Sequence, residues 1–309
     1  ALNGNKELDI LEPSCGDGVF LEEIRKADYK YNSVTAIEFD EIEANKSRQI
    51  ELENSEIINS DFHDFCINTK QKFDLVIGNP PYVSLEKIKD GKEILKKLYD
   101  VSAPRGDLYT FFYEKGLKLS EINSGLLCYI TSNKWMRAGY GKKLRGFFTN
   151  KNPLKLLDFG GFKVFESAAV DTNILLIENS KNKNHLEACH FKNDYKKSQN
   201  ITEYFEDNKV ILSNMSSDTW FIGSEAELSL KKKIERMGTL LKELDLKINF
   251  GVKTGFNEAF IISQKKRDEL ISKDPKSEEI IKPILRGRDI KRYSYSWANL
   301  YIILAKFES

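Results

Sequence analysis

Short apolar runs alternate with helix-compatible stretches over most of this chain, and the alternation limits the folds that it can adopt. Strand-like runs lie at Leu8–Leu11, Val34–Ile37, Glu56–Ile58, Phe73–Ile77, Leu126–Ile130, Leu154–Phe159 and Ile174–Ile177. Helical stretches between them include Phe20–Ala27, Glu41–Leu52 and Leu108–Leu119. Strands that alternate with helices form a mainly parallel sheet with helices on both faces. Ligands of such α/β sheets bind outside the carboxyl ends of the strands.

The alternation stops near residue 236, where shorter, more basic segments broken by glycines begin. We therefore predict one domain over residues 1–235 and the start of a second over residues 236–309. A chain of 309 residues has room for one large or two medium domains. Because the chain begins with Ala1 and ends at Ser309 inside an apolar run, we expect it to be a fragment of a longer protein.

The spacing of cysteine and histidine does not indicate a metal site or a disulfide framework. The 4 cysteines are scattered without a C-x-x-C pair, which favours a reducing cytoplasm. His185 and His190 are predicted to be surface residues, because their spacing does not place them on one helical face. No apolar stretch approaches the roughly 20 residues of a membrane span.

The most specific chemical signal is the sequence Asn79-Pro80-Pro81-Tyr82, which follows the apolar run Phe73–Ile77. This order puts an amide, a rigid carbonyl and an aromatic ring at the carboxyl end of a strand, because proline fixes φ and removes a backbone donor. The result is an acceptor-rich pocket that suits an amino group on a flat heterocycle. The alternative is a strand-terminating turn in which Tyr82 packs on the core.

Three further strand ends carry residues that suit a nucleoside cofactor with cationic groups. The segment Asp9–Gly18 leads from a strand into a glycine-containing turn, and its acidic residues would repel phosphate. Glu38 ends the next strand, where nucleoside-binding sheets place an acid for the ribose hydroxyls. Asp61 and Phe62 follow the third strand, in position to meet an adenine amino group and its ring. The alternatives are that Glu38 and Asp61 are helix caps or solvated acids.

Basic residues are concentrated in two segments of a chain whose net charge is +1. The first segment holds Lys134, Arg137, Lys142, Lys143 and Arg145, and the second holds Lys282, Arg286, Arg288, Lys291 and Arg292. Because an acidic N-terminal part precedes them, these segments indicate contacts with a polyanion. The alternative is a solvated surface, and Arg288 also has Asp289 beside it as a partner within a turn.

The chain resembles the gamma-class (Taq-like) S-adenosylmethionine-dependent DNA adenine-N6 methyltransferases over nearly its whole length. The resemblance rests on the segments LEPSCGDGVFL, IEFD, NSDF, NPPY, ITSNKWMRAGYGKKLRGFF and FKVFESAAVDTNILLIEN. GVKTGFNEAF and IKPILRGRDIKRY are similar to the beginning of the family's C-terminal target-recognition domain. The resemblance implies an α/β fold: a Rossmann-like seven-stranded methyltransferase sheet with helices on both faces, followed by the beginning of a smaller mixed recognition domain. The family's N-terminal Thr-Pro motif, which closes over the cofactor, is expected to precede residue 1.

The resemblance assigns roles to the matching residues. The residues assigned to the cofactor, S-adenosyl-L-methionine, are Glu12, Gly16, Gly18, Glu38, Phe39, Asp61 and Phe62. The residues assigned to the target base are Asn79, Pro80, Pro81, Tyr82 and Phe165, with Phe162 as the alternative to Phe165. We further predict contacts with DNA for Lys134, Arg137, Lys142, Lys143, Arg145, Arg286 and Arg288. No residue is assigned to a metal.

These roles imply a cytoplasmic enzyme that transfers a methyl group to the N6 amino group of an adenine flipped out of double-stranded DNA, within a restriction–modification or defence system. We expect no membrane partner and no metal. We do expect a possible nuclease or other restriction-system domain outside this chain. Two alternatives stay open. One is a protein glutamine-N5 methyltransferase, because the same motif suits a glutamine amide, although the basic segment after residue 236 disfavours it. The other is a DNA-binding modification subunit that needs a partner for activity.

Overall fold

The computed structural model describes residues 7–27, 29–88, 95, 97–165, 170–192, 195–196, 198–247, 251–252 and 254–304. The chain divides into two compact units between Met237 and Gly238. The boundary predicted at residue 236 lies in the last helical turn of the first unit, since that helix ends at Met237. Within these ranges, no helix combines the length and the apolar character that crossing a bilayer requires.

The described part of the first unit is built on a 9-stranded sheet. In chain order, its strands are β1 (Leu8–Glu12), β2 (Tyr31–Glu38), β3 (Ser55–Asn59), β4 (Leu75–Gly78), β5 (Leu126–Ser132), β6 (Asn152–Asp158), β7 (Thr172–Glu178), β8 (Leu186–His190) and β9 (Val210–Leu212). Across the sheet, the order is β3-β2-β1-β4-β5-β7-β6-β8-β9. The chain therefore reverses its direction of winding between β1 and β4, which is where ligands of α/β sheets bind.

The sheet is mostly parallel, which confirms the predicted α/β class. β1 pairs in parallel with β2 and β4, and β4 pairs in parallel with β5. β7 is inserted antiparallel between β5 and β6. The sheet is larger than the predicted seven strands, because β8 pairs with β6 and β9 pairs with β8. β8 is hard to recognise in the sequence because it spans only 5 residues and includes Glu187 and His190.

Helices connect the strands on both faces of the sheet. Those between the described strands include α1 (Val19–Lys26), α2 (Glu41–Ser47), α3 (Phe62–Asn68), α4 (Tyr109–Leu119), α5 (Lys142–Thr149) and α6 (Ile201–Asn208). The helix α7 (Glu225–Met237) follows β9, and none of its residues is buried. Side-chain caps fix the starts of α2, α3 and α6. Asp40 accepts from Ile42 N at 2.8 Å, Asp61 accepts from His63 N at 2.6 Å, and Asn200 accepts from Thr202 N at 2.8 Å. An aspartate at this position stabilises a helix by about 1 kcal/mol.

Each face of the sheet carries its own hydrophobic core. Leu11 belongs to one core and Ile10 to the other, because successive strand residues point to opposite faces. On the Leu11 face, α4 contributes buried aromatic rings such as Phe111, whereas α1 contributes Leu21 to the Ile10 face. Burying a side chain of this size stabilises the fold by about 1.5–3 kcal/mol.

The second unit holds a small antiparallel sheet. Its elements are α8 (Asn257–Phe260), β10 (Ile261–Ser263), α9 (Gln264–Lys273), β11 (Ile281–Pro283), β12 (Ile290–Lys291), β13 (Ser294–Tyr295) and β14 (Leu300–Ile303). β14 lies between β10 and β11 and pairs antiparallel with both. β12 and β13 form a separate hairpin.

Candidate active site

A cleft of about 890 Å³ opens where β1, β2, β3 and β4 end. The predicted site residues that line it are Gly16, Glu38, Phe39, Asp61, Phe62, Asn79 and Pro81. The fold therefore brings the three predicted cofactor segments together with the Asn79 motif. Leu108 and Phe112, beside and within α4, also line the cleft. Sequence analysis missed these two residues because an apolar helix position looks the same whether it faces the core or a ligand.

Glu38 holds the glycine turn in place. Its Oε2 accepts from Gly16 N at 2.8 Å, and its Oε1 accepts from Asp40 N at 2.8 Å. Ser47 donates through Oγ to the carbonyl of Gly16 at 2.7 Å, and the space where a Cβ of Gly16 would stand is open. A ligand can approach this backbone closely. The Glu38 carboxylate also keeps lone pairs for further donors, as the predicted contact with ribose hydroxyls requires.

Gly18 is required by the backbone conformation at this turn, and its predicted contact with the cofactor stays a prediction. It has φ +94°, and a Cβ there would lie 2.2 Å from Ile50 Cδ1 and 3.1 Å from Ser47 Oγ. Gly18 is not among the residues that line the cleft. Only glycine combines this left-handed conformation with such close packing at the start of α1.

Glu12 lies directly behind the cleft and is 1% exposed. Its Oε2 has no hydrogen-bond partner among the described residues. Its Cγ lies 3.7 Å from the position that a Cβ on Gly78 would take, so the side chain runs beside the strand end that leads into Asn79. Burial raises the pKa of the Glu12 carboxyl to about 8, and repulsion by Glu38 adds to the shift.

A Glu12→Gln variant is expected to flatten the pH dependence of stability. The pKa of Glu12 is about 8 in the folded protein, above its ordinary value of 4.5, so its contribution to stability declines as the pH rises from 4.5 to 8. Between pH 5 and pH 8, the wild type should therefore lose up to about 1.4 kcal/mol per pH unit relative to the variant. Urea unfolding of both proteins at several pH values measures this difference. Parallel stability curves would contradict the burial of an unpaired carboxyl.

Asp61 and Phe62 both line the cleft, and Asp61 is also the helix cap of α3. Phe62 lines the cleft, but most of its ring is buried and stacks on Phe112 with the ring centroids 4.8 Å apart. His63 is a further lining residue that the sequence did not single out: its Nδ1 contacts the Tyr99 hydroxyl, and burial lowers its pKa. Its only sequence signal is its position after Asp61 and Phe62.

The Asn79 motif sits at the end of β4, beside the glycine turn. Asn79 Oδ1 is shielded from solvent and has no hydrogen-bond partner among the described residues. The Asn79 carbonyl accepts from Ser14 Oγ at 3.3 Å, which links the two loops. A buried polar atom without a partner costs about 1–3 kcal/mol.

Tyr82 is anchored at the rim of this region. Its hydroxyl donates to the Ile130 carbonyl of β5 at 3.2 Å, and its ring meets Tyr109 edge-on with the centroids 6.3 Å apart. Burial raises the pKa of its hydroxyl, so the group stays a donor. Tyr82 is half-buried and packs against the core, as the alternative interpretation of the motif predicts, and it is not among the residues that line the cleft.

The two candidates for the second aromatic residue differ in their packing. Phe162 packs against a core cluster, with its ring 5.1 Å from that of Tyr195. Phe165 is half-exposed and is not among the residues that line the cleft. Its predicted contact with the target base therefore stays a prediction.

The basic residues after β5 divide into two groups. Lys134, Arg137, Lys142 and Lys143 are exposed, and they remain candidates for contacts with DNA. Arg145 is 3% exposed, and its guanidinium donates to the carbonyls of Trp135, Ala138 and Ser217. This burial corrects the prediction that Arg145 contacts DNA, because phosphate cannot reach the group.

In the second unit, Arg286 is held by a carboxylate within its own turn. Its guanidinium donates to both oxygens of Asp289, at 3.0 and 2.9 Å, and its backbone N–H donates to Oδ2 at 2.9 Å. These bonds lower the pKa of Asp289 to about 2. The sequence had suggested Arg288 as the partner of Asp289. Contacts of Arg286 and Arg288 with DNA stay predictions.

Comparison with known proteins finds similar sequences. Residues 18–165 match the model of the Eco57I restriction-modification methylases. It is 27% identical over 363 residues to the Type II methyltransferase M.BstVI of Geobacillus stearothermophilus, an alignment that covers 95% of this chain and 61% of that protein. It is 28% identical over 209 residues to the Type II restriction enzyme and methyltransferase RM.Eco57I of Escherichia coli, over 64% of this chain and 20% of that protein. The chain thus spans 61% or less of the length of these two relatives.

Solved structures of low sequence identity share the fold. The Type IIL restriction-modification enzyme MmeI, solved in complex with DNA, has a TM-score of 0.61 and 14% identity over 96% of this chain and 45% of its own. A putative class I S-adenosylmethionine-dependent methyltransferase from Listeria monocytogenes has a TM-score of 0.50 and 16% identity over 60% of this chain and 59% of its own. This chain therefore shares its fold with these two enzymes.

The residues of the cleft fit S-adenosyl-L-methionine, the cofactor in the name of the Listeria monocytogenes enzyme. Gly16 leaves open space for close approach, and the fixed carboxylate of Glu38 suits hydroxyl donors. The unpaired carboxyl oxygen of Glu12 and the carboxylate of Asp61 suit cationic and amino groups. The contacts of these four residues with the cofactor, with Phe39 and Phe62 beside them, stay predictions.

Proposed function

We propose that this chain is the catalytic part of a DNA methyltransferase that transfers a methyl group from S-adenosyl-L-methionine to the N6 amino group of a flipped-out adenine. The observation that carries the proposal is the placement of Asn79. Its Oδ1 lacks a hydrogen-bond donor among the described residues, and Asn79 lines the same cleft as Gly16 and Glu38. An unsatisfied acceptor beside a nucleoside-binding turn suits an amino group that receives a methyl group.

The chemistry of an exocyclic amine explains why acceptors are needed. The lone pair of the adenine amino nitrogen is delocalised into the ring, so the nitrogen is a poor nucleophile. Acceptors that bind its hydrogens favour a pyramidal nitrogen, and they bind more strongly as positive charge develops on it. We assign these acceptors to Asn79 Oδ1 and the carbonyl of Pro80. Because Pro80 and Pro81 restrict the backbone, this carbonyl needs little reorganisation during the reaction.

The remaining chemistry depends on positioning. When bound, S-adenosyl-L-methionine supplies an activated methyl group on a sulfonium, so the protein needs no strong base. The end of β4 and the glycine turn after β1 hold the two reactants beside each other, because β1 and β4 are neighbours in the sheet. Orienting two reactants in this way accounts for several kcal/mol of barrier reduction.

Double-stranded DNA is the substrate that we propose. The curated relatives are named as Type II methyltransferases, and MmeI is solved with DNA. The exposed basic residues after β5 follow the strand next to β4, so they lie on the same edge of the sheet as Asn79. A restriction component outside this chain stays a prediction; RM.Eco57I is named as both restriction enzyme and methyltransferase.

The proposal is tested by the DNA of a methylation-free bacterial host that expresses the full-length protein. We expect single-molecule sequencing and nucleoside mass spectrometry to find N6-methyladenine within one sequence motif. Expression of the Asn79→Ala variant at the same level should leave the DNA unmodified. Methylation of cytosine, or of a glutamine in a host protein, would overturn the assignment.

Tyr82 is expected to act through stacking on the extruded base. Flipping costs a few kcal/mol, less for a mismatched base, so a Tyr82→Ala variant should lose more activity on a paired target than on a mismatched one. Tyr82→Phe removes only the 3.2 Å hydrogen bond to Ile130 and should stay within about tenfold of the wild type on both. Single-turnover rates with both duplexes test this. Equal losses on the two substrates would argue against stacking.

A further inference from the structure

A second cavity lies on the same edge of the sheet, further from β1. It has a volume of about 400 Å³, and its lining includes Lys134, Arg137, Gly160, Asp171 and His190. These residues follow β5 and β6, precede β7, or end β8. The proposed methyl transfer uses none of the groups at the back of this cavity.

A buried aspartate holds the histidine of this cavity. Asp158 is 1% exposed, and its Oδ1 accepts from Asn133 Nδ2 at 2.7 Å and from Gly160 N at 3.1 Å. Its Oδ2 lies 2.9 Å from His190 Nδ1 and 4.0 Å from the Arg137 guanidinium. Burial alone would raise the pKa of Asp158, but hydrogen bonds from His190 and Asn133 outweigh it and lower the pKa. Asp158 thus stays ionised and binds the Nδ1–H of the imidazole.

The backbone at Gly160 is shaped around the imidazole. Gly160 has φ +54°, and a Cβ there would lie 2.6 Å from His190 Cε1 and 3.2 Å from Nε2. A larger residue would therefore displace the ring. With Nδ1 committed to Asp158, Nε2 is the ring nitrogen left for a ligand.

The charges around the cavity balance only while the imidazole is neutral. Lys134 and Arg137 bring two positive charges, and Asp158 and Asp171 bring two negative ones. Protonation of His190 therefore gives the cavity a net positive charge. Two further charged groups are close: Glu227 on α7 interacts with both His190 and Lys192, and the charges of Glu227 and Lys192 oppose each other.

We propose that this cavity binds one phosphodiester group of the DNA backbone, through Lys134, Arg137 and the protonated imidazole of His190. Asp158 is a positioning residue that fixes the ring and supports its charge. The inference rests on the proposed function, because it takes DNA as the ligand. Strands lie roughly 4.7–4.9 Å apart, so β6 is about 14 Å along the edge from β4. That distance equals the rise of about four base pairs, so the phosphate belongs to a nucleotide near the flipped base.

The salt dependence of DNA binding tests the proposal, measured by fluorescence anisotropy at pH 6 and pH 8 with the full-length protein. In the wild type, the slope of log K against log salt should be steeper at pH 6 than at pH 8, by at most about 0.9, because the protonated imidazole adds a cationic group to the same phosphate. His190→Gln keeps a donor for Asp158 and should have the same slope at both pH values. Arg137→Gln, at an exposed position, should lower the slope by about 0.9 at both pH values.

His185→Gln is the matched control. His185 is exposed and precedes β8, so it lies at the opposite edge of the sheet from His190. This variant should keep the wild-type difference between the two pH values. A His190→Gln variant that keeps that difference would overturn the proposal.

Sulfate, which does not titrate in this pH range, tests the cavity without DNA. The chain has 3 histidines, so their imidazole NMR signals are easily assigned with single variants. At pH 6, sulfate should shift the His190 signals and leave those of His185 unchanged; no shift would count against an anion site.

If sulfate shifts the His190 signals and the DNA slope depends on His190, but adenine is not methylated, the proposed function fails while the cavity assignment stands. If adenine is methylated but His190 does not affect the salt slope, the cavity assignment fails and the proposed function stands.

Discussion

An Asn79→Ala variant is expected to lose methyl transfer by a factor of about 10²–10³, the loss seen when one preorganised electrostatic group is removed from an active site. Asn79 Oδ1, at the end of β4, is an acceptor to which no described residue donates. Removing it takes away an interaction that strengthens only as charge develops on the target nitrogen, so the rate of the chemical step should fall. Single-turnover kinetics with saturating cofactor measure this rate.

Cofactor binding should survive the Asn79 substitution. The residues that we assign to the cofactor come from β1, β2 and β3, whereas Asn79 follows β4. Calorimetry should therefore give a dissociation constant within about threefold of the wild type, a difference of less than 1 kcal/mol. Asn45→Ala, at an exposed position of α2, is a matched control and should keep full activity. More than a tenth of the wild-type rate in the Asn79→Ala variant would contradict the catalytic assignment.

Arg145→Met is expected to destabilise the first unit by about 3–5 kcal/mol while leaving DNA contacts intact. The buried guanidinium donates to three backbone carbonyls, those of Trp135, Ala138 and Ser217. Hydrogen bonds from a charged donor are worth about 1.5–3 kcal/mol each, and the bond to the Trp135 carbonyl is buried. Urea unfolding with a fixed m-value measures the loss.

Arg145→Lys separates the structural role from a contact with phosphate. Lysine keeps the charge but not the planar fork that reaches several carbonyls at once, so this variant should also lose stability, by about 2–3 kcal/mol. Lys142→Met, at an exposed position in the same helix, is the control and should change the unfolding free energy by less than about 0.5 kcal/mol. If the Arg145→Lys variant is stable but binds DNA more weakly, Arg145 contacts DNA and its structural role is contradicted.

Much of the sheet and of the cleft was predictable, because local sequence patterns indicate the strands and the residues at their ends. Apolar runs such as Leu126–Ile130 bury their residues on both faces of the sheet, so they stand out against the polar loops. Glu38, Asp61 and Asn79 sit where strands end, and parallel strands bring their carboxyl ends to one edge. β8 was not predicted, because a short strand with part-exposed polar residues does not stand out against polar loops.

The sequence by itself determined the α/β class and the strand ends that carry the site, because both follow from the order of residues along single strands. Only the tertiary structure decided what individual charged and small residues do. Arg145 and Lys142 look alike in the sequence, yet one is buried against carbonyls and the other is exposed. The pairing of Asp158 with His190 joins residues 32 positions apart, as does the packing of Gly18 against Ile50. Such roles depend on distances between segments that are remote in the chain, and no local pattern records those distances.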